Sequence, residues 1–112
     1  NIKGSNILIL GITFKENCPD IRNTKVIDVY HKLISFGAKV DVFDSVANKK
    51  EVKKALQIDL ITDCTIKEYS AIILAVAHTD FKSIDFRKMK NNKTVIFDVK
   101  SFIPSDVIDG RL

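Results

Sequence analysis

Glycine is scarce in this chain: Gly4, Gly11, Gly37 and Gly110 are all that 112 residues contain, and no two of them stand at the spacing of a G-x-G-x-x-G motif. A dinucleotide fingerprint needs those glycines for its tight turn and for close approach of the backbone to a pyrophosphate, so the usual cradle for NAD is excluded. Cysteine is scarcer still. Cys18 and Cys64 have no Cys or His nearby at metal-ligand spacing, which excludes a disulfide framework and a zinc site and leaves two reduced thiols. Long apolar runs are also missing. The longest, Ala71 to Ala77, is far short of the roughly 18 residues that cross a bilayer, and no charged-then-apolar leader pattern opens the chain. The expectation is a cytoplasmic protein with no membrane contact.

What is present is the balance of a soluble globular domain, 46% hydrophobic and 29% charged residues. One domain spanning residues 1–112 is expected, able to bury about two thirds of its unfolded surface. The net charge of +4 suits an anionic ligand such as a nucleotide diphosphate. The Lys-rich stretch from Lys49 to Lys54 is interrupted by Glu51 and Val52 and lacks interleaved aromatics, so it reads as a solvated helix face and not as a nucleic-acid tract.

Asn6 to Gly11 is a continuous apolar run ending in glycine, the pattern of a strand buried on both faces of a parallel sheet. After a polar stretch, Asn23 or Thr24 can cap a helix. Its apolar positions Val26, Ile27, Val29, Tyr30, Leu33 and Ile34 recur at helical spacing, and Gly37 stops it. Further strands are expected at Ala38–Phe43, Ile58–Ile61, Ala71–Val76 and Thr94–Asp98, with helices at Ala47–Leu56, Thr65–Tyr69 and Ile84–Met89. Such alternation predicts an α/β fold: a doubly wound, Rossmann-like three-layer sandwich on a mainly parallel sheet of about five strands. The start of a strand so soon after Asn1 points to further chain on the N-terminal side.

Ligands of doubly wound sheets lie beyond the carboxyl ends of the strands. The loop there, Gly11 to Thr24, holds Phe14, Lys15, Asp20 and Arg22. Lys15 can act as a point charge toward a phosphate, and the guanidinium fork of Arg22 suits a phosphate near a helix N-terminus. A bland alternative is a surface loop in which Asp20 and Arg22 pair locally. Cys18 has no neighbour except Lys15 to lower its pKa, so it reads as a loop thiol. His78 has no carboxylate close in sequence except Asp80. It reads as a structural hydrogen-bonding group rather than a general base.

The string G-I-T-F-K-E-N-C-P-D-I-R-N-T, residues 11–24, resembles the opening of the C-terminal domain of the UDP-glucose/GDP-mannose dehydrogenase family. There, G-x-x-F-K is followed by D-x-R and a Ser or Thr that starts the helix. Ala75 to Phe81 is similar to the family's A-V-x-H-x-x-F, and Phe97-Asp98-Val99-Lys100 to its late D-x-R or D-x-K, so the resemblance spans the chain. The Glu-Asn-Cys-Pro segment is most similar to bacterial dehydrogenases of UDP-N-acetylhexosamines (glucosamine, galactosamine or mannosamine) that serve polysaccharide and capsule synthesis.

The resemblance implies that Phe14, Lys15 and Lys100 contact the nucleotide-sugar and that Arg22 reaches NAD held by an N-terminal domain of the same enzyme. It also implies oxidation of a sugar C6 alcohol to a carboxylate by two hydride transfers to NAD, through thiohemiacetal and thioester intermediates on a cysteine of a central region. Neither the NAD domain nor that cysteine motif is in this chain. No catalytic or metal-binding residue is therefore expected here, and a homodimer is implied for the whole enzyme. Ser101 departs from the family's glycine after the basic residue. The alternatives are a UDP-glucose 6-dehydrogenase domain, a freestanding α/β ligand-binding module, or a small complete enzyme using Cys18 and His78. A receiver-like module is disfavoured because Gly11-Ile12 stands where its acidic pair belongs.

Overall fold

A computed structural model of the chain describes residues 2–91, 93–100 and 102–111, with Arg111 described in its backbone only. Ser101 and Asn1 lie outside the described residues.

β1 (Asn6–Leu10) sits inside the sheet, flanked by β2 (Lys39–Phe43) and β3 (Ala71–Leu74); β4 (Val95–Asp98) and a short β5 (Gly110–Arg111) extend it in the order β2-β1-β3-β4-β5. Every pairing is parallel. Leu8, Ile9 and Leu10 have no exposed surface, because both faces of β1 are covered. The strand pleat divides the core. Leu8 and Leu10, in register with Ile72 and Leu74, face a cluster that contains Phe81, Phe86 and Ile96. Ile9 points the other way, into a cluster with Val26, Val42, Val52 and Val76. The expected three-layer sandwich is therefore present: α1 (Val26–Ser35) and α2 (Lys49–Leu56) cover one face, and a 3-10 helix (Thr79–Ser83) with α3 (Phe86–Met89) covers the other.

The end of α1 is set by Gly37. Its φ of +89° lets its N–H bond the Ile34 carbonyl at 2.9 Å while Ala38 N–H reaches back to Leu33 at 3.1 Å, a Schellman closure. Val29 and Ile34 of the expected apolar stripe are exposed, whereas Val26 is buried. The residue at the cap position is Lys25, not Asn23 or Thr24; the Thr24 hydroxyl still accepts from Val26 N–H at 3.3 Å. α2 starts at Asn48, whose side chain accepts from Glu51 N–H at 3.0 Å.

Three expected elements are different in the structure. Ile58–Ile61 forms no strand: Ile61 N–H bonds Val42 at 3.0 Å along the edge of β2, and burial of Ile58 and Leu60 accounts for the apolar pattern. The fifth strand is β5. There a Cβ on Gly110 would stand 2.5 Å from the Phe97 ring, so glycine permits the close pairing with β4. Thr65–Tyr69 is no helix, because Asp63 captures both the N–H and the hydroxyl of Thr65, at 2.9 and 2.6 Å, and turns the chain. Helix in the Ile84–Met89 region begins at Phe86, where Asp85 accepts from Lys88 N–H at 3.1 Å.

Candidate functional site at the carboxyl edge of the sheet

β1 has β2 on one side and β3 on the other, and the chain leaves it first toward β2 and later crosses to β3. The carboxyl ends of β1 and β3 therefore mark the switch point where open α/β sheets take ligands. Gly11 opens the loop at this point. Its φ is +96°, and a Cβ there would lie 2.6 Å from the Cβ and 2.9 Å from the backbone N of Val76, so the loop leaves β1 in a direction that only glycine allows. Phe14 follows, 56% exposed, with Lys15 also exposed beside it.

Beneath these two side chains lies a buried polar network that holds the loop. Asp44, just past β2, accepts at Oδ2 from Ile12 N–H (2.7 Å) and at Oδ1 from Val46 and Ala47 N–H (both 2.8 Å). His78, after β3, stands with its Nε2 2.9 Å from the same Oδ2; both side chains have no exposed surface. His78 Nδ1 accepts from Asn17 N–H at 2.9 Å, so it carries a lone pair and the ring proton resides on Nε2. Nε2 is also 3.2 Å from the Thr13 hydroxyl, which in turn donates to the Lys15 carbonyl at 3.0 Å. Burial by itself would raise the Asp44 carboxyl. The hydrogen bond from His78 and those from the Ile12, Ala47 and Val46 amides outweigh it and hold the group below its ordinary 3.8.

The outer part of the loop is fastened separately. Asn17 takes a left-handed φ of 60°, accepts from Thr79 N–H at 2.7 Å through Oδ1 and donates to the Thr79 hydroxyl at 2.9 Å through Nδ2. Phe14 N–H bonds the Asp20 carbonyl at 2.7 Å. Asp20 also grips Arg22, accepting from its Nε and Nη2 at 3.0 Å and from its backbone N–H at 2.9 Å. The hydrogen bonds from the Arg22 side chain and backbone lower the Asp20 carboxyl to about 2. The local pairing is thus present, and yet the Arg22 side chain is 85% exposed and open to a ligand.

Lys100 is exposed on the loop after β4. Asp98, fully buried at the end of that strand, shapes the loop by accepting from Lys100 N–H (2.9 Å), Phe102 N–H (2.6 Å) and Ile103 N–H (2.7 Å). β1 and β4 are separated by β3, so the two lysine-bearing loops emerge about 10 Å apart, two interstrand spacings.

Sequence reasoning named the carboxylate nearest His78 as Asp80, and the structure replaces it with Asp44; Asp80 instead accepts from the Ser45 hydroxyl at 3.0 Å. Asp44, Thr13 and Asn17 were missed as site residues. The position of Asp44 directly after an apolar strand was the available signal. His78 has no exposed surface and uses both ring nitrogens in internal hydrogen bonds, the geometry of a structural group. Cys18 is a half-buried loop thiol, and burial pushes the Cys64 thiol upward. Among the described residues no metal-binding group of three side chains gathers, and no helix is long and apolar enough to cross a membrane.

Residues 8–105 match the UDP binding domain of the UDP-glucose/GDP-mannose dehydrogenase family. A UDP-N-acetyl-D-glucosamine 6-dehydrogenase of Salmonella typhi is 44% identical over the whole chain, and one of Pseudomonas aeruginosa is 37% identical over the whole chain. The match covers 27% of each relative, so the chain spans about a quarter of their length. Among solved structures, an NDP-N-acetyl-D-galactosaminuronic acid dehydrogenase of Methanosarcina mazei superposes over 97% of this chain and 25% of its own, with a TM-score of 0.81 at 21% identity, a likeness of fold. With a matched loop motif, a sheet ending in two lysine-bearing loops and these relatives, the chain belongs to the UDP-glucose/GDP-mannose dehydrogenase family, as its UDP binding domain.

Proposed function

We propose that this chain is the C-terminal substrate-holding domain of an NAD-dependent UDP-N-acetylhexosamine 6-dehydrogenase that makes uronic acids for polysaccharide or capsule synthesis. The observation that carries the reading is the exposed Phe14–Lys15 pair on a loop locked at the switch point of the sheet. Lys15 and Lys100 would neutralise the diphosphate from two sides, and Phe14 would offer an apolar face to the nucleotide-sugar. Their contribution is orientation. Held so, the sugar C6 faces the reacting groups of the other domains, a proximity effect that disappears when the domains are separate.

NAD, which accepts hydride when bound, does not fit a cradle in this chain. Val76 packs directly against Gly11 at the β1 turn, no second or third glycine follows it in the loop, and all the described bonds of Asp44, at the end of β2 where a dinucleotide site places its ribose-binding carboxylate, go to groups of this chain. In this reading NAD is held by an N-terminal domain, a central region supplies the cysteine, and Arg22 reaches across. A cytoplasmic homodimer completes it.

Titrating UDP-N-acetylglucosamine into the labelled chain should shift the amide resonances of residues 12–17 and 99–103 together. No shift in either segment would overturn the reading, and release of NADH by the isolated chain would overturn the division of labour. In the full-length enzyme, a kcat/KM higher for UDP-glucose than for every UDP-N-acetylhexosamine would transfer the assignment to the UDP-glucose class.

A further inference from the structure

The β1 loop projects Phe14 and Lys15 outward while the residues on either side of them are fastened to one buried ring. The Thr13 hydroxyl oxygen lies 3.2 Å from His78 Nε2 and shares the proton that Nε2 gives to Asp44, and the Asn17 N–H donates to His78 Nδ1, so a single imidazole contacts both ends of the Phe14–Glu16 segment, with the firmer tie at Asn17. Asp44 fixes that ring: its Oδ2 takes the Nε2 proton and simultaneously the Ile12 N–H, which sets tautomer and ring plane. The only described charged group on the ring is Asp44, and the Phe81 ring packs against its edge at 5.2 Å between centroids. Thr13, Asp44, His78 and Phe81 are all buried, so rotamer alternatives for the clamp are closed off.

We propose that His78, oriented by Asp44, is a positioning residue for nucleotide-sugar recognition, acting through the backbone of residues 13–17 and not by touching the ligand. The proposal rests on the reading above, in which Phe14 and Lys15 meet the UDP-sugar. A clamp of this kind lowers the ordering cost of binding, because a loop that would otherwise sample many conformations is already in the receptive one. Its loss therefore weakens binding of ground state and transition state alike, which raises KM and spares kcat.

Two substitutions separate the halves of the clamp. In His78→Gln the terminal amide stands near the Nε2 position and keeps the Asp44 bond, whereas the Asn17 N–H loses its acceptor. In His78→Asn the amide oxygen stands near the Nδ1 position and keeps the Asn17 bond. Measured on the full-length enzyme, His78→Gln should raise KM for UDP-N-acetylglucosamine about tenfold with kcat changed by less than about twofold. Hydrogen exchange should show the Asn17 amide unprotected in His78→Gln and protected in His78→Asn, and His78→Asn should bring KM back to within about threefold of wild type.

A wild-type KM in His78→Gln despite a freely exchanging Asn17 amide overturns the proposal, as does an equal rise in both variants. Asn17→Gly guards against misfolding, since glycine keeps the left-handed backbone and the N–H but loses the two bonds to Thr79. It should raise KM about threefold with Tm unchanged, and a rise as large as that of His78→Gln would overturn the proposal, because Asn17→Gly leaves the N–H bond to His78 in place. Failure of the wild-type enzyme to saturate with any UDP-sugar would instead sink the underlying reading, while the exchange data, taken without ligand, would still report on the clamp.

Discussion

Two loops at the same edge of the sheet are each organised by a buried aspartate, and the described bonds of the two aspartates span different distances. Asp44 joins residues far apart in sequence: Ile12 is 32 positions away and His78 is 34, so its carboxylate knits the ends of β1, β2 and β3 together. The described bonds of Asp98 reach Lys100, Phe102 and Ile103, none more than five residues on, and shape a turn that follows from its own strand. A long-range tie fixes where a loop stands relative to the sheet. A short-range tie fixes the shape of the loop and leaves its placement to packing. Phe14 and Lys15 should therefore be the more rigid half of the ligand site and Lys100 the more adaptable.

The comparison breaks most visibly on stability. Asp44→Ala leaves the Ile12 N–H and the His78 Nε2–H buried, and the Val46 and Ala47 N–H groups partly buried, without this acceptor, and should cost about 3–5 kcal/mol in a urea titration. Asp98→Ala should cost about 2 kcal/mol, since its turn can relax toward solvent. Equal losses would mean that the distance spanned is irrelevant. The pH dependence gives a second measurement. Because the folded Asp44 carboxyl lies below 3.8, its contribution is complete at pH values above that figure and is lost as pH falls through the depressed value. Asp44→Asn should therefore flatten the acid limb of the stability curve; an unchanged acid limb in that variant would place the titrating group elsewhere.

The same contrast explains what could be read from the amino acids. β1 was legible because a strand covered on both faces must be apolar throughout, and Gly37 because a helix end in left-handed conformation selects glycine. The sheet and the loop motif followed from those local rules. Ile58–Ile61 misled because burial and strand pairing leave the same apolar trace, and Thr65–Tyr69 because an Asx turn at Asp63 competes with helix without altering composition. The tie from Asp44 to His78 could not be read locally at all. It depends on β2 and β3 standing on either side of β1, and Asp80, closer in sequence, was the more visible candidate.

On ligand binding the expected effects are smaller and differ between the loops. Lys15→Ala should weaken UDP-sugar binding about tenfold to a hundredfold, the loss of one charge-assisted bond from a preorganised loop. Lys100→Ala should weaken it by about tenfold or less, because a loop held by local bonds can bring water or a backbone amide to the phosphate instead. Calorimetric titration of both variants ranks them. The reverse order would make the β4 loop the principal anchor and would reduce the clamp around His78 to a structural feature.

Arg22 should give the smallest change and the sharpest distinction between holding substrate and reaching cofactor. It stands at the outer end of the β1 loop, beyond the His78 clamp, and its side chain is 85% exposed. Its pair with Asp20 is a solvated surface contact, so Arg22→Ala should leave Tm unaltered. A guanidinium that reaches NAD from another domain would affect the cofactor alone: KM for NAD should rise severalfold while KM for the UDP-sugar stays put. Arg22→Lys should recover little of that loss, since a point charge lacks the planar fork. If KM for the UDP-sugar moved instead, the β1 loop would serve one ligand along its whole length, and the boundary between substrate and cofactor would lie beyond Thr24.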